Sequence, residues 1–282
     1  VSVTYVTYQQ LYSDILAFAP KLPRGIDIIA GVPRSGMIPA AMLATHLHLP
    51  LTDIYSLCDG HFPKSGNRLS PLPVKSQYRV LVVDDSIYRG SSLRAVKTCI
   101  NSSINGLSFT FAAVYRDPGI DVALDVDLYH KNISPQRYFE WNLMQHSELF
   151  DAMLDIDGVL CVDSPVFDND GPEYVAAIEN AVPLHLPRVP VGALISCRLE
   201  RWREQTESWL KRHGVKYGRL ILSSYPTAAD RRRQCNYGRY KGEQYRDCGA
   251  TLFIESSSDQ APEIARVSGK PVICLGDKGV HQ

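Results

Sequence analysis

Short runs rich in Ile, Val and Leu alternate with segments of helical period along the whole chain. Runs that are continuously apolar belong to strands covered on both faces, and such cover comes from helices lying between consecutive strands. The expected fold is therefore α/β with parallel sheets. In the first half the pattern predicts strands at 26–31, 52–57, 79–84 and 109–115, with helices over 8–19, 37–48 and 91–101. In the second half it predicts strands near 152–156, 191–196, 219–223, 251–255 and 271–275. The unit changes around 142–151, so two domains are expected, 1–147 and 148–282. A length of 282 residues agrees with two domains at roughly 100–200 residues each.

Charge narrows the partners. Thirty Lys and Arg balance thirty Asp and Glu, leaving no basic excess to neutralise nucleic-acid phosphates or an acidic membrane. Neither nucleic acid nor membrane is an expected partner. No stretch reaches the ~18 apolar residues of a membrane span. The first residues, Val1 to Tyr5, carry neither a basic leader nor an apolar core, so no secretory signal is expected. Seven scattered cysteines without a C-x-x-C pair suit reduced thiols, and hence a cytoplasmic protein. The N-x-S sequons at Asn101 and Asn132 read as chance matches. Self-association as a homo-oligomer is left open.

The first chemical motif lies at 80–93, where Val80, Leu81, Val82 and Val83 lead into Asp84 and Asp85, then Ser86, Ile87, Tyr88, Arg89, Gly90, Ser91 and Ser92. A buried strand thus delivers two carboxylates to its C-terminal end, where open α/β sheets bind ligands. The Gly- and Ser-bearing loop that follows opens a helix, and helix N-termini cradle phosphate. A plain strand-end turn capping the helix at 91 is the competing reading. Upstream, a second buried strand runs into Gly31, Val32, Pro33, Arg34, Ser35 and Gly36. Together these residues resemble the phosphoribosyl-pyrophosphate (PRPP) motif and pyrophosphate loop of the type I phosphoribosyltransferases, over about residues 10–140. The resemblance implies a parallel sheet with a flexible hood. Asp84 and Asp85 would bind the ribose hydroxyls, 86–92 the 5′-phosphate, and Arg34, Ser35 and Gly36 the leaving pyrophosphate. It also implies Mg²⁺ and a nucleobase-like acceptor. Tyr88 departs from the small residue usual there. The loop 58–77 takes the place of the hood, with Lys64, Arg68 and Lys75 to cover diphosphate and His61 and Phe62 to meet a base. An aromatic among residues 137–141 is a candidate to stack on that base, or else part of a packed terminal strand.

The second motif is Asp155, Ile156, Asp157 and Gly158 after an apolar strand. Alternation points the two carboxylates the same way, an arrangement suited to Mg²⁺ and to attack on phosphorus. It resembles the first signature of the haloacid dehalogenase (HAD) superfamily, and later motifs follow in that family's order. Ser196 ends a strand and would hold the phosphoryl group, Lys241 would offset its charge, and Glu255 with Asp259 would complete a metal site with Asp155 and Asp157. Lys211 and Lys216 compete with Lys241. The resemblance implies a small Rossmann-like domain in which Asp155 is the nucleophile and Asp157 the general acid/base. The segment 163–190 has room only for a small flap, so cover is expected from the first domain or another subunit. A mixed-charge helix is expected over 198–213, with Arg198 as a substrate contact, and the basic run 231–233 is expected at the surface.

Taken together, the motifs imply a bifunctional enzyme. The first half would join a base to PRPP, and the second would hydrolyse a phosphomonoester, either the nucleotide just formed or a different ester. Two alternatives stand beside it: a PRPP-sensing regulator, and a chain in which only the HAD-like half is catalytic.

Overall fold

The computed structural model describes residues 3–63, 72–101, 106–121, 125–166 and 168–282. The chain divides into two compact units, Val6–Trp141 and Asn142–Gln282, the second also taking in Val3, Thr4 and Tyr5. Both are α/β with parallel sheets.

The chain enters through β1 (Thr4–Val6) and α1 (Tyr8–Phe18). Thr7 starts this helix by accepting the Gln10 N–H at 3.0 Å, satisfying one of the orphan donors of the first turn. Then come β2 (Ile28–Gly31), α2 (Met37–Leu47), β3 (Leu51–Asp53), α3 (Ile54–Cys58), β4 (Tyr78–Ile87), α4 (Ser91–Asn101), β5 (Leu107–Arg116), β6 (Leu128–Asn132) and β7 (Arg137–Phe139). Strands β3-β2-β4-β5-β6 form one sheet, parallel throughout. Val80 to Val83 at its centre are buried, contributing roughly 1.5–3 kcal/mol each against exposure. The predicted strand 52–57 is a correction. It stops at Asp53, whose side chain accepts the Ser56 N–H at 2.9 Å and opens α3 instead. The hood residues Lys64 and Arg68 lie outside the described residues.

The second unit holds β8 (Ala152–Asp155), α5 (Pro172–Glu179), β9 (Val191–Leu199), α6 (Arg203–Arg212), β10 (Tyr217–Ser223), α7 (Ala228–Gln234), α8 (Tyr237–Asp247), β11 (Leu252–Glu255), α9 (Ala261–Ser268), β12 (Val272–Cys274) and β13 (Gly279–His281). Its sheet runs β10-β9-β8-β11-β12-β13, and β13 pairs antiparallel with β12. Met153, Ile195, Phe253 and Val272 pack on Tyr245 and Ile264 to form a core on one face. One expectation changes here. Arg198 lies on β9, with α6 beginning only at Arg203. The segment 163–190 contains α5 and is pinned to α6, where Trp209 Nε1 donates to the Ala181 carbonyl and Arg212 Nη1 to that of Glu179, both at 2.8 Å. No described helix is long and apolar enough to cross a membrane.

In both sheets the chain reverses its direction of winding. From β2 it passes to β3 on one side and β4 on the other, and from β8 to β9 on one side and β11 on the other. A crevice opens at such a switch point, beyond the carboxyl ends of the strands.

Candidate functional site

At the first switch point, β4 stays paired with β5 through Ile87, whereas its pairing with β2 ends at Val83. Asp84 to Ile87 are therefore strand residues free of β2, and the loop proper is confined to 88–90. This corrects the expected loop start at Ser86. A cavity of about 200 Å³ lies here, lined by Asp84, by residues 86–93 and by apolar side chains that include Val32 and Phe111. The pyrophosphate-type loop closes on the same carboxylate: a Cβ on Gly36 would stand 2.8 Å from Asp84 Oδ1 and 2.6 Å from the Val32 carbonyl oxygen. Only a residue without a side chain fits that approach. Ser35 is half-buried and Arg34 exposed.

The two acids part company. Alternation along a strand sends neighbours to opposite faces, and Asp85 is not among the cavity-lining residues. It is buried, and its Oδ2 accepts the Trp141 indole N–H at 2.8 Å. Trp141 in turn stacks on Phe139 at 4.7 Å. The aromatic considered as a base platform thus orients a carboxylate. Burial, and then the charge of Asp85, raise the Asp84 carboxyl well above its ordinary range. Tyr88 is half-exposed, with Arg137 over its ring at 4.8 Å and Arg89 at 5.3 Å. The expected role of Lys75 does not match its position: it pairs with Asp27, which also accepts the Arg79 N–H at the opposite, N-terminal ends of β2 and β4. Phe62 packs on Tyr78, with ring centroids 5.5 Å apart.

At the second switch point a cavity of about 260 Å³ is lined by Asp155, Asp157, Asp163, Lys241 and Glu255, among others. Asn236 caps α8 by accepting the Arg239 N–H at 3.0 Å, which places Lys241 on the buried face of that helix. Its ammonium donates to Asp155 Oδ2 at 2.8 Å and Glu255 Oε2 at 2.9 Å. Burial opposes its charge, but Asp155 and Glu255 outweigh burial and raise its pKa. One cation between two carboxylates leaves a negative excess. Burial foremost, with Glu255 and Asp157 adding, raises the Asp155 carboxyl well above its ordinary range. The other Glu255 oxygen accepts the Ser256 and Ser257 N–H groups at 3.1 and 3.0 Å, so the longer acid anchors Lys241 to its own strand end.

Asp157 has a different environment. Ser196 Oγ donates to its Oδ2 at 2.7 Å and Arg198 Nη2 to its Oδ1 at 2.6 Å. Burial favours the neutral acid, but Arg198 and Ser196 prevail and hold the carboxyl below its ordinary pKa. Arg198 is therefore a buried partner of Asp157, with further donors toward Thr206 at 3.4 Å and the Cys161 sulfur at 3.4 Å. Asp259 is exposed and does not line the cavity; Asp163 stands there instead. Asp163 had a legible signal, an acid six residues beyond Asp157 near the same strand tip. Arg231 also departs from its expected surface position: it is buried, paired with Asp168 at 3.0 Å and donating to the Cys197 carbonyl at 2.8 Å.

The donor set at the second cavity, four carboxylates and no imidazole, is of the oxygen kind that a hard cation such as Mg²⁺ takes.

The chain is similar in structure to several solved phosphoribosyltransferases. A xanthine-guanine-hypoxanthine phosphoribosyltransferase of Helicobacter pylori matches with 18% identity and a TM-score of 0.38, over 50% of this chain and 93% of that one. A purine phosphoribosyltransferase of Pyrococcus horikoshii matches with 28% identity and a TM-score of 0.38, over 50% and 94%. A hypoxanthine-guanine phosphoribosyltransferase of Bacillus anthracis matches with 21% identity and a TM-score of 0.32, over 48% and 84%. No family model and no curated protein matches the sequence.

Proposed function

We propose that the chain is a bifunctional enzyme, transferring the phosphoribosyl group of PRPP to a nucleobase-like acceptor in its first unit and hydrolysing a phosphomonoester in its second. The observation that carries the reading is the first cavity, where Asp84, the 86–93 segment and the Gly36 loop converge at one switch point. In this reading the N–H groups at the start of α4 hold the 5′-phosphate, with Ser91 and Ser92 beside them. Asp84 takes a ribose hydroxyl, and Asp85, fixed by Trp141, supplies the second negative charge that favours oxocarbenium character at C1′. Arg34, Ser35 and the loop N–H groups receive the departing pyrophosphate.

In the second unit, an Asp155 oxygen attacks phosphorus and Lys241 offsets the charge of the transferring group. Ser196 holds the phosphoryl group once its hydrogen bond to Asp157 is exchanged. The alcohol leaves with a proton from Asp157, which must first be released from Arg198 to carry one. Water then attacks the aspartyl-phosphate, returning its proton to Asp157 and freeing phosphate. Asp155 and Asp163 would hold Mg²⁺, which would lower the repulsion between phosphate and carboxylate. The nucleotide formed in the first unit is the ester that the second hydrolyses, giving a nucleoside.

The test is incubation with PRPP, Mg²⁺ and a panel of bases, with mass detection of products. Nucleoside from the wild type and nucleotide from Asp155→Asn is the expected result. Loss of pyrophosphate release in Asp84→Asn, with phosphatase retained, assigns the first step to the first unit. PRPP binding without turnover on any base would overturn the transferase reading in favour of a sensor.

A further inference from the structure

The C-terminal hairpin of the second unit carries a group of side chains that neither proposed reaction uses. Cys274 closes β12, Asp277 lies in the turn, and His281 is on β13. Their sulfur, carboxylate oxygen and imidazole nitrogen lie within 4.8 Å of one another. The ladder explains why. Cys274 pairs with Gly279 and Val272 with His281, and in an antiparallel pair residues two apart on either strand share a face. Cys274 and His281 therefore point to the same side, and the residue directly opposite Cys274 has no side chain to fill the space between them. Asp277 uses that space: its Oδ1 accepts the Gly279 N–H at 2.9 Å, and a Cβ on Gly279 would stand 3.0 Å from it. The second oxygen meets His281 Nε2 at 2.9 Å. The three groups run from buried Cys274 through half-buried His281 to exposed Asp277. The backbone N–H groups of Asp277 and Gly276 face the Cys274 sulfur and oppose the rise in its pKa that burial causes.

We propose that Cys274, Asp277 and His281 form a binding site for a borderline divalent transition metal of the Zn²⁺ kind, distinct from the carboxylate set at Asp155. A thiolate and an imidazole select such ions over Mg²⁺, and three protein ligands leave a fourth tetrahedral position to water. Binding breaks the S–H bond of Cys274, whose proton goes to solvent. The hydrogen between His281 and Asp277 leaves Nε2, to solvent from the charged ring or by transfer to Nδ1 in the neutral one. The bound ion ties the turn of the hairpin to the end of β12, one strand over from Glu255, the register partner of Cys274.

The test titrates the metal-free full chain with Co²⁺, in an Asp155→Asn background so that the other cavity contributes least. One equivalent should produce a thiolate-to-cobalt charge-transfer band in the near ultraviolet, and Zn²⁺ should displace it. Carboxylate-bound Co²⁺ gives no such band. His281→Ala, at a half-buried position, should weaken Co²⁺ binding by at least about 100-fold, the upper end for losing even an outer-shell partner. Cys274→Ser should abolish the band. Zn²⁺ should raise the melting temperature of the parent chain and not that of His281→Ala. Absence of the band in the parent chain overturns the proposal, as does an undiminished band in His281→Ala or any band in folded Cys274→Ser. Should Cys274→Ser fail to fold, His281→Ala decides alone.

Discussion

Replacing Lys241 by Met tests the construction of the second site without reference to any reaction. The ammonium is buried and bonded to Asp155 at 2.8 Å and Glu255 at 2.9 Å. Methionine fills nearly the same volume, so the change removes charge rather than packing. It leaves two buried carboxylates facing each other with no cation between them. Breaking a buried pair from one side costs about 3–5 kcal/mol, because the remaining charge is uncompensated. At an m-value of about 2 kcal/mol/M, the urea midpoint of the second unit should fall by about 2 M. Trp202 and Trp209 belong to that unit and Trp141 to the other, so fluorescence in a Trp141→Phe background isolates the relevant transition. The measurement is made with EDTA, since a bound cation would stand in for the lysine. Adding Glu255→Gln removes one of the stranded charges and keeps an oxygen for the Ser256 and Ser257 N–H groups. The double variant should recover much of the loss. A cost below about 1 kcal/mol for Lys241→Met, or a double variant no more stable than the single, would refute the reasoning.

Three further outcomes follow from the first unit. Trp141→Phe keeps a ring against Phe139 but removes the donor to Asp85; a hydrogen bond to a charged group contributes about 1.5–3 kcal/mol, so PRPP affinity by calorimetry should fall about tenfold or more, with phosphatase activity unchanged. Gly36→Ala drives a methyl against the Val32 and Val83 carbonyls and Asp84; PRPP binding should be lost and the unit destabilised by about 1–3 kcal/mol, and wild-type affinity would contradict the close approach. His130 has its pKa lowered by burial above all, with Lys21 and Lys131 adding and Asp14 opposing. Its unfolded form therefore binds more protons, so stability is complete above about pH 6.5 and declines as pH falls toward the folded value. Urea midpoints from pH 7.5 downward should show this slope in the wild type and not in His130→Gln.

Strand ends were legible because an apolar run that meets acids must end at the sheet's edge. That logic placed Asp84, Asp155 and Glu255 beside their cavities. Lys241 was legible through its order relative to Glu255, although three nearby lysines offered themselves. What the chain does not reveal locally is the direction in which long polar side chains are spent. Lys75 looks like a phosphate cover by position, yet it reaches Asp27, 48 residues away. Arg198 follows Ser196 and could face substrate, but strand β9 extends past it and alternation turns it inward to Asp157. The separation of Asp84 from Asp85 follows from strand period alone once the strand is carried beyond Asp84. Its extension depends on pairing with β5, a tertiary fact. Asp259 and Asp163 differ in the same way, since a turn of chain decides which one faces the cavity.

The two sites share an electrostatic arrangement. Each places two acids close together near a strand end, where both cannot stay charged cheaply in a buried setting. In each, one member is compensated by a donor distant in sequence: Trp141 for Asp85, and Arg198 with Ser196 for Asp157. The other member, Asp84 or Asp155, takes the rise in pKa. A ligand bringing hydroxyl donors to Asp84, or a cation to Asp155, relieves that rise and is bound more tightly for doing so. In the first unit the compensated acid, Asp85, stands outside the cavity and acts on Asp84 through its charge; in the second, Asp157 lines the cavity beside Asp155. Changing Trp141 acts on Asp85 without touching the cavity-facing Asp84, which separates the electrostatic role of that pair from direct contact with the ligand, whereas changing Arg198 acts on Asp157, itself a lining residue of the second cavity.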